Sequence, residues 1–304
     1  MLNKFLFFLL LAIVMVTGCS KDASKEITTT TSVTFKGDVY VAGLEVNSAG
    51  FVVAKYWKNG VAVSVTNGTD NAWARGIAFL GSDIYVAGSV GLLNGYAKAT
   101  YWKNGVAVSL TDGSTFGGAI GITFMGNDMY VAGFDENSQG NEVAKYWKNG
   151  TAVNLTDGTI DAQGSGIAVV GNDIYVTGLE YKINNKIAVY WKNGIAVTLI
   201  DGTKDAVAYC IAIVGNDIYV AGYEANSLGK DIAKYWKNGI AVTLTDGTTD
   251  SQAGGIAIVG NDIYVGGYET NSLGNGIAKY WKNGTAVLLT DGTKNANGFG
   301  IVVN

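Results

Sequence analysis

Carboxylates recur along this chain where they could do chemistry. Glu45, Asp135, Glu180, Glu224 and Glu269 each close a short apolar segment. Two such acids flanking one cleft could serve as acid and base in glycoside cleavage. A second set, Asp-Gly-Thr-x-Asp, spans Asp157 to Asp161, Asp201 to Asp205 and Asp246 to Asp250. Paired carboxylates across a glycine could donate to calcium, but that ion takes about six to eight oxygens. Asp and Gly are also turn formers, and Asp112-Gly113-Ser114-Thr115 and Asp291-Gly292-Thr293-Lys294-Asn295 lack the second acid. No metal site and no cofactor are expected. The chain has 0 His, which excludes Ser-His, Cys-His and His-metal chemistry. Cys210 replaces a glycine and reads as a small buried residue rather than a nucleophile. A last group, Trp73, Arg75, Tyr209 and Phe299, stands one or three residues ahead of a nearly constant glycine position.

What positions these residues is a repeat. Tyr-Trp-Lys-Asn-Gly occurs six times, placing Trp57, Trp102, Trp147, Trp191, Trp236 and Trp281 at intervals of 45, 45, 44, 45 and 45 residues. A second motif, of the form Gly-Asn-Asp-Ile-Tyr-Val-Ala-Gly, keeps step through Tyr40, Tyr85, Tyr130, Tyr175, Tyr219 and Tyr264. A period of about 40–50 residues made of short strands is the signature of a propeller blade.

Each copy reads as four strands. In the fifth, Ile211 to Val214 stops at Gly215-Asn216-Asp217, and Ile218 to Tyr223 follows, rich in β-branched and aromatic residues. The polar stretch Glu224 to Lys230 precedes Ile232 to Trp236. Asn238-Gly239 then makes the hairpin, since both residues tolerate positive φ. Ile240 to Thr245 alternates like a half-exposed outer strand. Strands one and two are apolar at nearly every position, as strands covered on both faces must be. The expected fold is an all-β, six-bladed β-propeller of four-stranded antiparallel blades over residues 31–304. Gly300 to Val303 matches strand one in register, whereas Thr31 to Phe35 would put Ser32 and Thr34 at buried positions. Closure of the ring by the C-terminal strand is therefore expected.

With the ring in place, the Gly-Asn-Asp and Lys-Asn-Gly turns share one face, and the longer, variable loops share the other. Before the glycine position (Gly76, Gly121, Gly166, Cys210, Gly255, Gly300) stand Arg75, Ile120, Ser165, Tyr209, Gly254 and Phe299. Two further back stand Trp73, Gly118, Gln163, Val207, Gln252 and Asn297. Loops on a rigid scaffold collect binding residues, so the mouth of the channel on the variable-loop face is the expected site. Drift at loop ends is the plain alternative. The strand-two acids project toward that face, although their recurrence in five of six copies suits a structural role. The repeated Trp suits packing between blades better than a sugar platform, because it recurs strictly beside a tight turn with a Tyr facing the other way.

Gly266-Gly267 ending strand two, then Tyr280-Trp281 on strand three, resembles the kelch blade. Kelch blades separate that Tyr and Trp; here they are adjacent. The order of strands is closer to the extracellular HAF-type repeats of bacteria. That resemblance covers residues 31–304 and implies a propeller outside the cytoplasm, with no particular activity. Six-bladed fucose lectins use an Arg beside each aromatic, and Arg75 is this chain's one Arg, so that site is not repeated here. The Asp-box of sialidase propellers is missing.

Residues 1–18 lie outside the repeats. Lys4 precedes the unbroken apolar run Phe5 to Val16, which is shorter than the ~18–20 residues of a spanning helix and suits a signal peptide. Its ending, Val16-Thr17-Gly18-Cys19, resembles the bacterial lipobox, which implies lipidation of Cys19 and a linker over residues 19–30. Ser20-Lys21-Asp22 resembles the export tag of surface lipoproteins in Bacteroidota. Loss of residues 1–18 removes one Lys and no acid, so 21 Lys and Arg become 20 against 25 Asp and Glu, a net charge of −5. Without a basic stripe, nucleic acid is not an expected partner. Cys210 is the sole cysteine after Cys19, so no disulfide can form within the mature chain.

The function expected is a binding module for a glycan or for an envelope or extracellular protein, at the outer membrane or cell surface and attached by the lipid anchor alone. The alternatives are a carbohydrate-active hydrolase or lyase using carboxylates at the channel mouth, and a purely structural surface protein.

Overall fold

A computed structural model of the chain describes residues 40–59, 61–182, 185–293, 296–298 and 300–301. Among them are five four-stranded sheets and one three-stranded sheet, each antiparallel and each running in chain order. Blade five is typical: Ala206–Val214, Asp217–Ala225, Asp231–Lys237 and Ile240–Thr243. The inner strands of successive blades are neighbours, so the sheets stand side by side around a centre. This is a six-bladed β-propeller.

The two repeated motifs fold onto each other at one end of every described blade. The hairpin Asn takes positive φ, between 49° and 51° in all six copies, with a positive-φ Gly next to it wherever that Gly is described. In blade five the Asn238 carbonyl oxygen accepts from Ile218 N at 2.8 Å, and its amide donates to Asp217 Oδ1 at 2.8 Å. Lys237 pairs with Asp217 at 2.9 Å and lies 5.1 Å from the Tyr219 ring centroid. The same set recurs around Asp83, Asp128, Asp173 and Asp262. Gly-Asn-Asp and Lys-Asn-Gly are therefore two halves of one hydrogen-bonded clasp.

The tryptophans hold neighbouring blades together. Trp102, Trp147, Trp191, Trp236 and Trp281 are at most 1% exposed. Each clusters with alanines of the preceding blade, Trp147 with Ala87 and Ala99, for example, and Trp281 with Ala221 and Ala233. Tyr85 turns the other way and meets Phe124 of the next blade edge-on at 4.7 Å. Packing between blades, not a sugar platform, is what these rings do. Trp57 of blade one is half-buried.

Two boundaries differ from the expectation. The inner strands run nine residues and start five positions earlier than the apolar run suggests: Ala72–Leu80 in blade two and Ala206–Val214 in blade five. The glycine position is not ahead of the strand but inside it, at a bulge marked by the register shift between Ala74 and Gly76, or Ala208 and Cys210. A bulge breaks the alternation by which a strand is recognised. It also explains the glycine of strand two, since a Cβ on Gly222 would stand 1.9 Å from the Val207 carbonyl oxygen. The outer strands are exposed along almost their whole length rather than half-exposed. In blade one no inner strand is found among the described residues. Gly300 and Ile301 lie against Gly266 of blade six, on the side where the next inner strand belongs. Thr31 to Phe35, Val302 and Val303 fall outside the described residues.

Candidate functional site

The strand-two acids end on the variable-loop face, and each has a lysine. Glu45 pairs with Lys55, Asp135 with Lys145, Glu224 with Lys234 at 2.6 Å, and Glu269 with Lys279. These lysines sit two residues ahead of the repeated Trp. Blade two has Val90 and Thr100 at the two positions, so acid and base are replaced together. Blade four has Val189 in place of the lysine, and Glu180 turns to Lys182 at 3.9 Å. The recurrence of these acids follows from an ion pair inside each blade that carries one.

The Asp-Gly-Thr-x-Asp loops are also accounted for by internal bonds. Asp157 Oδ1 accepts from Thr159 N at 2.9 Å and from its hydroxyl at 2.7 Å, an Asx turn repeated at Asp201, Asp246 and Asp291. The second acid caps strand three of the preceding blade: Asp161 accepts from Glu142 N, Asp205 from Lys186 N and Asp250 from Asp231 N. Asn71 does the same for Val52 N. Among the described residues no group of three or more metal-ligating side chains gathers.

At the channel mouth the varied positions are matched across strands. Trp73 lies opposite Ser89, Gly118 opposite Phe134, Gln163 opposite Leu179, Val207 opposite Tyr223 and Gln252 opposite Tyr268. The largest residue faces the smallest, so part of the variation is compensating volume. Trp73 and Arg75 are half-buried on the inner strand of blade two, and burial lowers the Arg75 guanidinium pKa. Tyr209 is half-buried on the inner strand of blade five, 6.0 Å from the Tyr223 ring. Phe299 falls outside the described residues. Trp73 and Arg75 therefore stand on one blade, and Tyr209 three blades further round.

Sequence reasoning missed Asp231 and the bonds that join it through Gln252 to Tyr209. The Tyr209 hydroxyl donates to Gln252 Oε1 of blade six at 3.3 Å, and Gln252 Nε2 donates to Asp231 Oδ2 of blade five at 2.8 Å. Blades three and four repeat the second bond as Gln163 to Glu142 at 2.6 Å. Burial raises the Asp231 carboxyl, the Gln252 hydrogen bond opposes this, and the charges of Asp250 and Asp205 add to the rise. Burial, then Asp231, pushes Tyr268 up to about 12, and Tyr223 moves upward for the same reasons. The signal for Asp231 was weak: it occupies a strand start where other copies carry Val52, Ala97, Glu142, Lys186 and Gly276.

Comparison with known proteins adds the fold alone. No protein-family model matches the chain, and no curated protein matches it. Among solved structures it is similar to TolB from Acinetobacter baumannii, with a TM-score of 0.57 at 12% identity, covering 86% of this chain and 67% of that one. The BP39L lectin from Burkholderia pseudomallei gives 0.51 at 11% identity, over 83% of this chain and 81% of the lectin. The β-propeller domain of the Trilobed protease from Pyrococcus furiosus gives 0.50 at 11%, over 84% and 81%.

Proposed function

We propose that this protein is an extracytoplasmic binding module, lipid-anchored through Cys19 at the outer membrane or cell surface, whose variable-loop face receives a glycan. The observation that carries this is the unlike use of polar groups on the two faces. The turn face repeats one closed set of bonds, while the mouth sets Trp73 and Arg75 on blade two and joins Tyr209 through Gln252 to Asp231 across blades five and six. Of that chain only the Gln–acid bond recurs, as Gln163 to Glu142. Aromatic rings beside planar amide and carboxylate groups suit the apolar faces and hydroxyls of sugars. That a lectin is among the similar propellers agrees with this and does not decide it. The enzyme alternative needs free carboxylates, and the five strand-two acids are held by lysines.

A glycan array probed with the full-length protein, together with a pull-down from envelope extract, tests the function. Glycan binding that Trp73→Ala, Arg75→Ala or Tyr209→Ala weakens tenfold or more, about 1.4 kcal/mol, is expected. A silent array with capture of one protein would replace the glycan by a protein partner. For the anchor, fatty-acid labelling should mark the wild type and be lost in Cys19→Ala. Equal labelling of both removes the anchor.

A further inference from the structure

The sector between blades five and six carries a combination found at no other described blade. Residues two apart on a strand share a face. Tyr223 and Ala225 therefore point the same way, and Asp231, paired with Ala225, points with them. Ala233, paired with Tyr223, packs in one cluster with Trp281, so this face looks toward blade six, while Tyr223, nearer the channel, clusters with Val207 and with Leu179 of blade four. In blade four the places of Ala225 and Asp231 are taken by Tyr181 and Lys186, and in blade six by Thr270 and Gly276. Only blade five sets a small residue between a tyrosine and an acid.

Two polar atoms there are left over. Tyr223 is 5% exposed, yet its hydroxyl makes no hydrogen bond among the described residues. Asp231 Oδ2 accepts from Gln252, while Oδ1 has no donor among the described residues. Neither atom is among the fully buried polar atoms that lack a partner, so both open onto the mouth, where a ligand atom can take the place of water. The charge of the place is also defined. Asp205 and Asp250 act on Asp231 in the same sense, and Lys186 opposes them. Lys230 is held by Asp250 at 3.0 Å. A neutral hydroxyl would satisfy the hydrogen bonds alone. An ammonium group would also relieve the repulsion among the carboxylates and gain from the aromatic rings beside it.

We infer that this sector binds the protonated amine of an amino sugar, with the ammonium donating to Asp231 Oδ1 and the Tyr223 hydroxyl oxygen and the sugar ring lying beside Tyr209. This rests on the glycan-binding function and names its chemical class. The test titrates the full-length protein with two trisaccharides of the same backbone, one of glucosamine with free amines and one of N-acetylglucosamine. Methylammonium serves as a third probe. The amine trimer should bind at least tenfold more tightly. Asp231→Asn should abolish that gap and Tyr223→Phe should narrow it, with thermal unfolding showing both variants folded. Lys148→Ala should leave it intact. Equal affinity for the two trimers, or a gap that survives Asp231→Asn, overturns the inference while leaving glycan binding in place. Failure of both trimers while other glycans bind this face does the same. A silent glycan array with methylammonium binding that depends on Asp231 keeps the cation site and removes the glycan.

Discussion

The turn face and the variable-loop face of the ring are ends of the same strands, and both repeat closed polar sets. On the variable-loop face these are the acid–lysine pairs and Asx turns. Only that face also carries inner-strand positions that differ from blade to blade. On the turn face, Asp217, Lys237, Asn238 and the Tyr219 ring satisfy one another, and four further blades repeat the set. On the variable face each blade solves its packing differently: Trp73 over Ser89, Phe134 over Gly118, Tyr223 over Val207. Part of that variation is volume exchange. What remains after it is subtracted is concentrated where Tyr209, Gln252 and Asp231 join blades five and six. Repetition thus marks the scaffold, and the proposed site is the place where variation leaves polar atoms open to a ligand.

The largest expected effect lies in the scaffold shared by both faces. Trp147→Ala or Trp236→Ala should cost about 3–5 kcal/mol in denaturant unfolding, the usual loss for a fully buried large aromatic. A loss below about 1 kcal/mol would mean that the blades do not depend on that contact. Next comes the turn face. Asn238→Ala forces alanine to positive φ and removes the bonds to Ile218 and Asp217, for an expected cost of about 1–3 kcal/mol. Asn238→Gly relieves the backbone and should cost less; equal costs would show that the side-chain bonds alone matter.

Acid should undo the same face. Hydrogen bonds from Lys237 and then Asn238 hold the Asp217 carboxyl below its ordinary range, and Asp83, Asp128, Asp173 and Asp262 are lowered by the equivalent pairs. A depressed carboxylate stabilises the fold above its unfolded pKa, about 3.9, and that stability is lost as pH falls through the folded value. Thermal unfolding should therefore hold steady down to about pH 4 and decline below it. A flat profile to pH 2 would contradict the clasp. The smallest effect has the opposite sign. Asp231 is raised, so its ionised form opposes folding at neutral pH, and Asp231→Asn should raise Tm slightly while weakening binding. A lower Tm would mean that Asp231 serves the fold.

Much of the fold was legible because the Trp and Tyr periods count the blades and the Asn-Gly hairpins fix where strands three and four meet. The inner strands were cut short, since the bulge at Gly76 or Cys210 breaks their alternation. Trp73, Arg75 and Tyr209 consequently read as loop residues, although they lie within strands. The strand-two acids were visible, but their partners, lysines on the neighbouring strand, are set by a register that spacing alone does not give. Gln252 was visible as a varied position, but its partner Asp231 stayed hidden because the two come together across two blades, 21 residues apart in sequence.

The most direct test compares the two faces in one binding measurement. Against the ligand identified on the array, the double variant Tyr223→Phe, Asp231→Asn should lose at least tenfold in affinity, about 1.4 kcal/mol. The double variant Lys148→Ala, Asp128→Asn, which opens one clasp on the turn face, should bind as the wild type does. Loss of affinity in the turn-face variant, with the mouth variant unchanged, would place the functional surface on the wrong face.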